Sequence, residues 1–143
     1  MNYIISCLTT NYARFSGRAR RKEFWMYQLF NIPFFIIIFI LSKTITDPTL
    51  SFILTIIPLA FILPFLSVTV RRLHDINKDG FWVIITVPIY LNELLKIMHW
   101  PGSLVMSIIS GLGSIILIIM MCKTGTVGEN KYGPDPKELD TEE

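Results

Sequence analysis

Charge is scarce in this chain. Only 17% of its 143 residues are Asp, Glu, Lys or Arg, against roughly a quarter in an ordinary soluble domain. The formal net charge is +2. That is too small to mark a nucleic-acid partner, and the basic residues border apolar runs instead of lining a soluble face. Cysteine is scarcer still. Cys7 and Cys122 stand far apart with nothing to pair them into a disulfide framework, so a reducing compartment is expected. The two histidines, His74 and His99, have no companions at zinc-ligand spacing. No nucleophile signature is present. Met1 to Thr10 carry no positive charge, and no small-residue cleavage site follows the first long apolar run. That run is therefore expected to stay as an anchor and not to leave as a signal peptide.

Apolar residues fill the space that charge leaves, at 52% of the chain, with a mean hydropathy of +0.53. They fall into runs. Residues 24–42 are 19 uncharged positions, roughly 28 Å of helix and so about one hydrocarbon core. Residues 48–70 are a second such run of 23. Residues 81–92 are uncharged, and extension through Glu93 and Lys96 makes 81–98 long enough to cross, with Lys96 snorkelling at the far end. Residues 103–121 form the last run, after a His99-Trp100-Pro101-Gly102 turn. The expectation is one all-α integral membrane domain with four transmembrane helices, the third short, and a candidate N-terminal interfacial helix. Residues 1–23 would be a cytoplasmic arm, 71–80 a cytoplasmic loop and 123–143 a cytoplasmic tail.

Details inside the runs refine this. In the arm, Ile4, Ile5, Leu8, Tyr12 and Phe15 recur at helical spacing and suit an interfacial face. Ser16 is a candidate helix cap, and Gly17 permits an unusual backbone angle. Phe24, Trp25 and Tyr27 resemble an interfacial aromatic belt. Gln28 and Asn31, three apart, are expected to turn away from lipid. Pro33, Pro58 and Pro64 predict bends, with the freed carbonyls satisfied by neighbours. Ser103, Ser107, Gly111 and Ser114 make a small-residue seam for close helix packing. The charged end, 137–143, is expected to fray.

Four alternating spans put 11 of the 13 Lys and Arg residues on the side of the termini and only Lys43 and Lys96 on the other. That asymmetry predicts cytoplasmic termini in a bacterial inner membrane. The basic groups predict contact with anionic headgroups of the bilayer. A membrane-protein partner or a homo-oligomer is the other expected company.

Three polar motifs interrupt the apolar runs. They are Gly17-Arg18-Ala19-Arg20-Arg21-Lys22-Glu23-Phe24-Trp25, Arg71-Arg72-Leu73-His74-Asp75 with Gly80-Phe81-Trp82, and Gly125-Thr126-Val127-Gly128-Glu129-Asn130-Lys131-Tyr132-Gly133-Pro134-Asp135-Pro136. In that order they resemble the bacterial family called domain of unknown function 805, and the likeness covers nearly the whole chain. It implies a small multi-span inner-membrane protein and brings no activity with it. Asn77-Lys78-Asp79 departs from the family, which more often shows a glycine, a variable residue and a serine there.

The motifs fall short of familiar sites. Asp75-x-Asn77-x-Asp79-Gly80 matches the opening of a calcium loop, but the twelfth position is Thr86 where a bidentate Glu belongs. Gly125 to Lys131 lacks the spacing of a phosphate loop. His74 could titrate near neutral pH. Arg71 and Asp75, four apart, are expected to pair, leaving Arg72 for a lipid phosphate or Asp135. The candidate binding or structural cluster is Gly17, Arg18, Arg21, Glu23, Arg71, Arg72, His74, Asp75, Asn130, Tyr132 and Asp135. No cofactor, metal or catalytic residue is assigned. A non-enzymatic scaffold or binding protein is the leading reading; a transport component and a lipid-modifying enzyme are the alternatives.

Overall fold

A computed structural model describes residues 3–86, 88 and 103–139. The described chain is helical: α1 (Tyr3–Leu8), α2 (Arg21–Thr44), α3 (Pro48–Ile56), a 3-10 turn (Ile57–Phe61), α4 (Ile62–Asp75), a second 3-10 segment (Gly80–Thr86), α5 (Ser103–Cys122) and the single turn α6 (Pro136–Leu139). Among the described residues, three stretches are long and apolar enough to cross a membrane: Arg21–Thr44, Pro48–Asp75 and Leu104–Cys122. The expected third span opens as the 3-10 segment Gly80–Thr86. Its remainder, with Glu93, Lys96 and the turn at His99, lies outside the described residues.

Local chemistry sets most of the boundaries. Residues 18–20 are drawn out, with the Ala19 N–H donated to the Arg71 carbonyl at 3.0 Å. Helix α2 therefore starts at Arg21 after an extended Arg20 with no side-chain cap, and Ser16 is not the cap. Glu23 in the first turn and Lys43 in the last suit the helix dipole. Asp47 caps α3 by accepting the Leu50 N–H at 2.8 Å, with Pro48 in the first turn. The chain stays helical through Arg71–Asp75, so the expected 71–80 loop begins five residues late. It stops because Asn77 takes a left-handed φ of 56°. The Lys78 N–H then returns to the Leu73 carbonyl at 2.9 Å and the Asn77 N–H to the His74 carbonyl at 3.0 Å. This is a Schellman stop, in which Asn is the usual substitute for glycine. It gives a physical reason for the glycine more frequent here in the resembled family.

The proline bends are real at Pro58 and Pro64, where the helix tightens to 3-10 across Ile57–Phe61. Pro64 has no N–H for the Ala60 carbonyl, and the Tyr12 hydroxyl donates to that oxygen at 2.5 Å. Tyr27 donates to the Phe61 carbonyl at 3.3 Å. Tyr12 thus replaces the donor that Pro64 removes, and Tyr27 adds a bond to the next carbonyl. Pro33 lies inside the uninterrupted α2.

The core sits at one end of the bundle, where Cys7, Ala19, Phe24, Tyr27, Val68, Leu73, Leu117, Met120 and Met121 pack together. Phe24 and Tyr27 belong to it and not to an aromatic belt. In α1 the buried residues are Ser6 and Cys7, while Ile5 and Phe15 are exposed, so the expected apolar face of the arm is not the packed one. Along their outer faces the helices expose Leu29, Ile36, Phe39, Phe52, Leu104 and Ile118, an apolar girdle of the kind lipid covers. Asn31 is buried and Gln28 half-buried, and neither side-chain oxygen has a hydrogen-bond partner among the described residues.

The seam on α5 is shifted from the expected one. Ser110, Gly113, Leu117, Met120 and Met121 are buried, whereas Gly111 is exposed and Ser107 and Ser114 half-buried. Ser110 and Ser114 turn their hydroxyls back onto the Met106 and Ser110 carbonyls, both at 2.7 Å. The close approach is at Gly113, where a Cβ would stand 3.0 Å from the Ile85 carbonyl oxygen, while a Cβ on Gly111 meets nothing within 4 Å. We predict that Gly113→Leu lowers stability by about 1–3 kcal/mol through overpacking. Gly111→Leu should stay within about 0.5 kcal/mol. SDS-titrated unfolding in mixed micelles measures both, and equal effects at the two glycines would contradict the assignment.

Candidate functional site

The last turn of α4 carries the chemistry. Side chains three apart on a helix are neighbours, and Arg72 pairs with the Asp75 carboxylate. Arg71 turns the other way, to Glu23 in the first turn of α2, with Nη1 2.6 Å from Oε1. The expected Arg71–Asp75 pair therefore does not form. The second partner of Asp75 comes from the drawn-out arm: Arg18 Nε lies 3.0 Å from Oδ1. One carboxylate is held between two guanidinium groups, and all three side chains are almost completely buried.

The remaining donors of those guanidinium groups go to backbone carbonyls. Arg72 gives Nε to the Met121 carbonyl at 3.2 Å and Nη2 to the Lys123 carbonyl. It thereby satisfies orphan acceptors at the C-terminus of α5, where the helix dipole also favours a cation. It is wholly buried and is not free for lipid or for Asp135. Arg18 gives Nη1 to Gly128 at 2.6 Å and Nη2 to Thr126 at 2.5 Å. Two transmembrane helix ends, the arm and the tail are thus tied at one point.

The tail closes over α4. Thr126 donates its N–H (2.8 Å) and its hydroxyl (3.0 Å) to the Asp75 carbonyl. Asn130 Nδ2 donates to the His74 carbonyl at 3.0 Å. Gly125 must be glycine because a Cβ there would run into the Asp75 carboxylate. Asn130 and Gly133 form an isolated antiparallel bridge that presents Tyr132. The Tyr132 ring stacks flat on His74, with centroids 3.8 Å apart and planes 6° from parallel. His74 Nδ1 lies 3.0 Å from the Gly17 carbonyl, and Gly17 takes a left-handed φ of 86°. Asp135 accepts the Gly128 and Lys137 N–H groups, at 3.2 and 2.9 Å. The expected fraying from 137 onward does not begin there, since Pro136–Leu139 is α6.

Ten of the eleven anticipated residues meet in this knot. Arg21 stays exposed at its edge, 3.5 Å from the Cys122 carbonyl. It borders a cavity of about 480 Å³ with Arg20, Lys22 and Lys137. Sequence reasoning missed Cys7, which donates to Glu23 at 3.7 Å. Burial, then the Glu23 charge, push its thiol to about 11, so it is a protonated donor and not a nucleophile. It also missed Ser67, whose hydroxyl ties down the Asn11 and Arg14 carbonyls at 2.9 and 2.6 Å. A serine in an apolar run carries no spacing signal that foretells this. Asp79 accepts from Tyr132 at 2.5 Å and Lys131 at 3.0 Å. The carboxylates of the calcium-like spacing thus have separate partners.

Chemically the knot holds charge in place. The Asp75 carboxylate is taken by two arginines, and His74 lies between a carbonyl and a tyrosine ring. Arg72→Ala, which strands Asp75 and the α5 carbonyls, should cost about 3–5 kcal/mol. Arg72→Lys should recover only part, since a lysine lacks the planar fork; SDS-titrated unfolding tests both, and a near-neutral Arg72→Ala would refute the locking role.

The tail has its own pH signature. The Tyr132 hydroxyl, then Lys131, hold Asp79 below its usual 3.8. The Lys137 N–H, chiefly, does the same for Asp135. A depressed folded-state value means the stabilisation is full above about 4 and is lost as pH falls through the lower folded values. Hydrogen-exchange protection of residues 125–137, corrected for intrinsic rates, should hold from neutral pH to about 4 and fall below it.

A family model described as a protein of unknown function, DUF805, matches residues 12–134. The chain is 34% identical over 130 residues to the inner membrane protein YhaH of Escherichia coli K12, covering 89% of this chain and 90% of that one. It is 34% identical over 137 residues to inner membrane protein YhaI of the same strain, covering 96% and 97%. It is 29% identical over 134 residues to the uncharacterized protein YiiR of that strain, with 87% of each covered. No solved structure matches.

Proposed function

The chain belongs to the DUF805 family, and from that membership we propose a four-span, non-enzymatic inner-membrane scaffold whose cytoplasmic head presents a basic rim to anionic headgroups or to a partner protein. The observation that carries the reading is the fate of the arginines. Arg18 and Arg72 turn their donors inward, onto Asp75 and the ends of the chain's own helices. Such a knot stabilises a surface, and its two arginines are spent on internal partners. Arg20, Arg21, Lys22 and Lys137 remain at the rim, around one cavity.

The span count draws support from chain geometry. Helix α2 leaves the head, α4 returns to it and α5 ends in it. Gly80 packs on Val70 and His74 at the head, and Ile85 packs on Gly113. Gly113 lies nine residues before the end of α5, roughly 13 Å deeper at helical rise. This supports a chain that descends again after Gly80 as a third crossing, with α5 as the fourth. The Lys and Arg asymmetry then puts the head and both termini in the cytoplasm.

Fusions test this reading. Alkaline phosphatase after Glu143 should be inactive and after Lys43 active, while a fluorescent protein after Glu143 should glow. Phosphatase activity after Glu143 would refute the topology. Headgroup composition in a deletion strain should match the parent; accumulation of one lipid species would favour an enzyme.

A further inference from the structure

The structure has a second cavity, of about 240 Å³, between the arm and the tail. Arg14, Arg18 and Arg71 line it, with Glu23 the one carboxylate in the wall, a formal excess of two positive charges. Arg71 is 4% exposed. Its Nη1 serves Glu23 at 2.6 Å and its Nη2 lies 4.0 Å from the Cys7 sulfur. Its Nε is buried with no hydrogen-bond partner. A buried guanidinium N–H left unsatisfied is costly, and an acceptor oxygen that reached it would relieve that cost.

The rim supplies what the floor lacks. Arg14 is exposed, and among the described residues its guanidinium has no hydrogen bond. The arm is not loose, because Ser67 ties the Asn11 and Arg14 carbonyls at 2.9 and 2.6 Å. Arg71 and Arg14 therefore border the same fixed cavity, one as a buried guanidinium in its floor and one as an exposed cation at its rim. The volume takes a tetrahedral oxyanion with waters to spare.

We infer that this cavity, walled by Arg14, Arg18 and Arg71, binds a phosphate-class oxyanion, supplied as a lipid headgroup phosphate or as free phosphate. Guanidinium forks match phosphate geometry and hold charge at any physiological pH. The inference rests on the proposed topology only for the side of the membrane that supplies the ligand. It concerns a different cavity from the one that Arg21 and Lys137 border.

The test uses the full chain in neutral-detergent micelles. Inorganic phosphate is titrated calorimetrically, and retention of phosphatidylglycerol against phosphatidylcholine is counted by native mass spectrometry. Saturable binding at one site is expected in at least one arm. Binding of inorganic phosphate without lipid identifies free phosphate as sufficient; retention of phosphatidylglycerol alone identifies the headgroup. Arg14→Gln, which breaks no internal hydrogen bond, should weaken binding about tenfold with an unchanged melting curve. Arg71→Lys keeps a cation beside Glu23 but removes Nε, and should also weaken binding. Lys43→Gln, in the last turn of α2 and outside both cavities, should bind as wild type. Absence of saturation in both arms, or full affinity in Arg14→Gln, would overturn the inference. Either result with the fusion reporters still as expected leaves the topology standing.

Discussion

A single carboxylate organises this protein. Asp75 is held between Arg18 and Arg72, and each arginine carries the constraint onward to carbonyls on segments far away in sequence. Charges this deeply buried are tolerated only when every partner is present. The ion pairs alone would not demand a particular chain path. The carbonyls do, because Met121 and Lys123 reach Arg72 only if α5 ends beside α4. The result resembles a soluble core turned inside out: the densest packing and the polar groups share one end, and the apolar surface faces outward along the rest.

Backbone satisfaction is the second organising demand, and tyrosine answers it. Tyr12 gives a hydroxyl donor to Ala60, whose own donor Pro64 removes, and Tyr27 gives one to Phe61. Both hydroxyls come from outside the bent helix. The bend is thus held by its neighbours, and the arm and α2 are coupled through it. The same economy appears at Asn77, where a side chain takes a backbone angle that glycine accepts most easily.

Much of this was legible in the residues and some could not be. Long uncharged runs located all three described spans, since length and hydropathy answer directly to bilayer thickness. Three separated polar motifs pointed to one cluster, because lipid offers polar groups no other company. Pairing within the cluster was not legible. A spacing of four suggested Arg71 with Asp75, yet Glu23 lies 48 residues from Arg71 in sequence and competes successfully. Helix ends misled for a related reason: Ser16 has a capping side chain, but the pull of Arg71 on Ala19 keeps its surroundings extended. The small-residue seam erred by a few residues, as several registers fit a stripe of Ser and Gly and only the position of Ile85 chooses among them.

The separation between Arg18 and its partners has a consequence for how the molecule is made. Arg18 emerges early, yet the carbonyls it needs belong to Thr126, Gly128 and Gly133, 108 to 115 residues downstream. Until the last helix is inserted and the tail is released, Arg18 and Arg72 lack most of their acceptors. The knot can therefore close only after the last helix and the tail have been made, so the arm waits on nearly the whole chain before its arginine is buried.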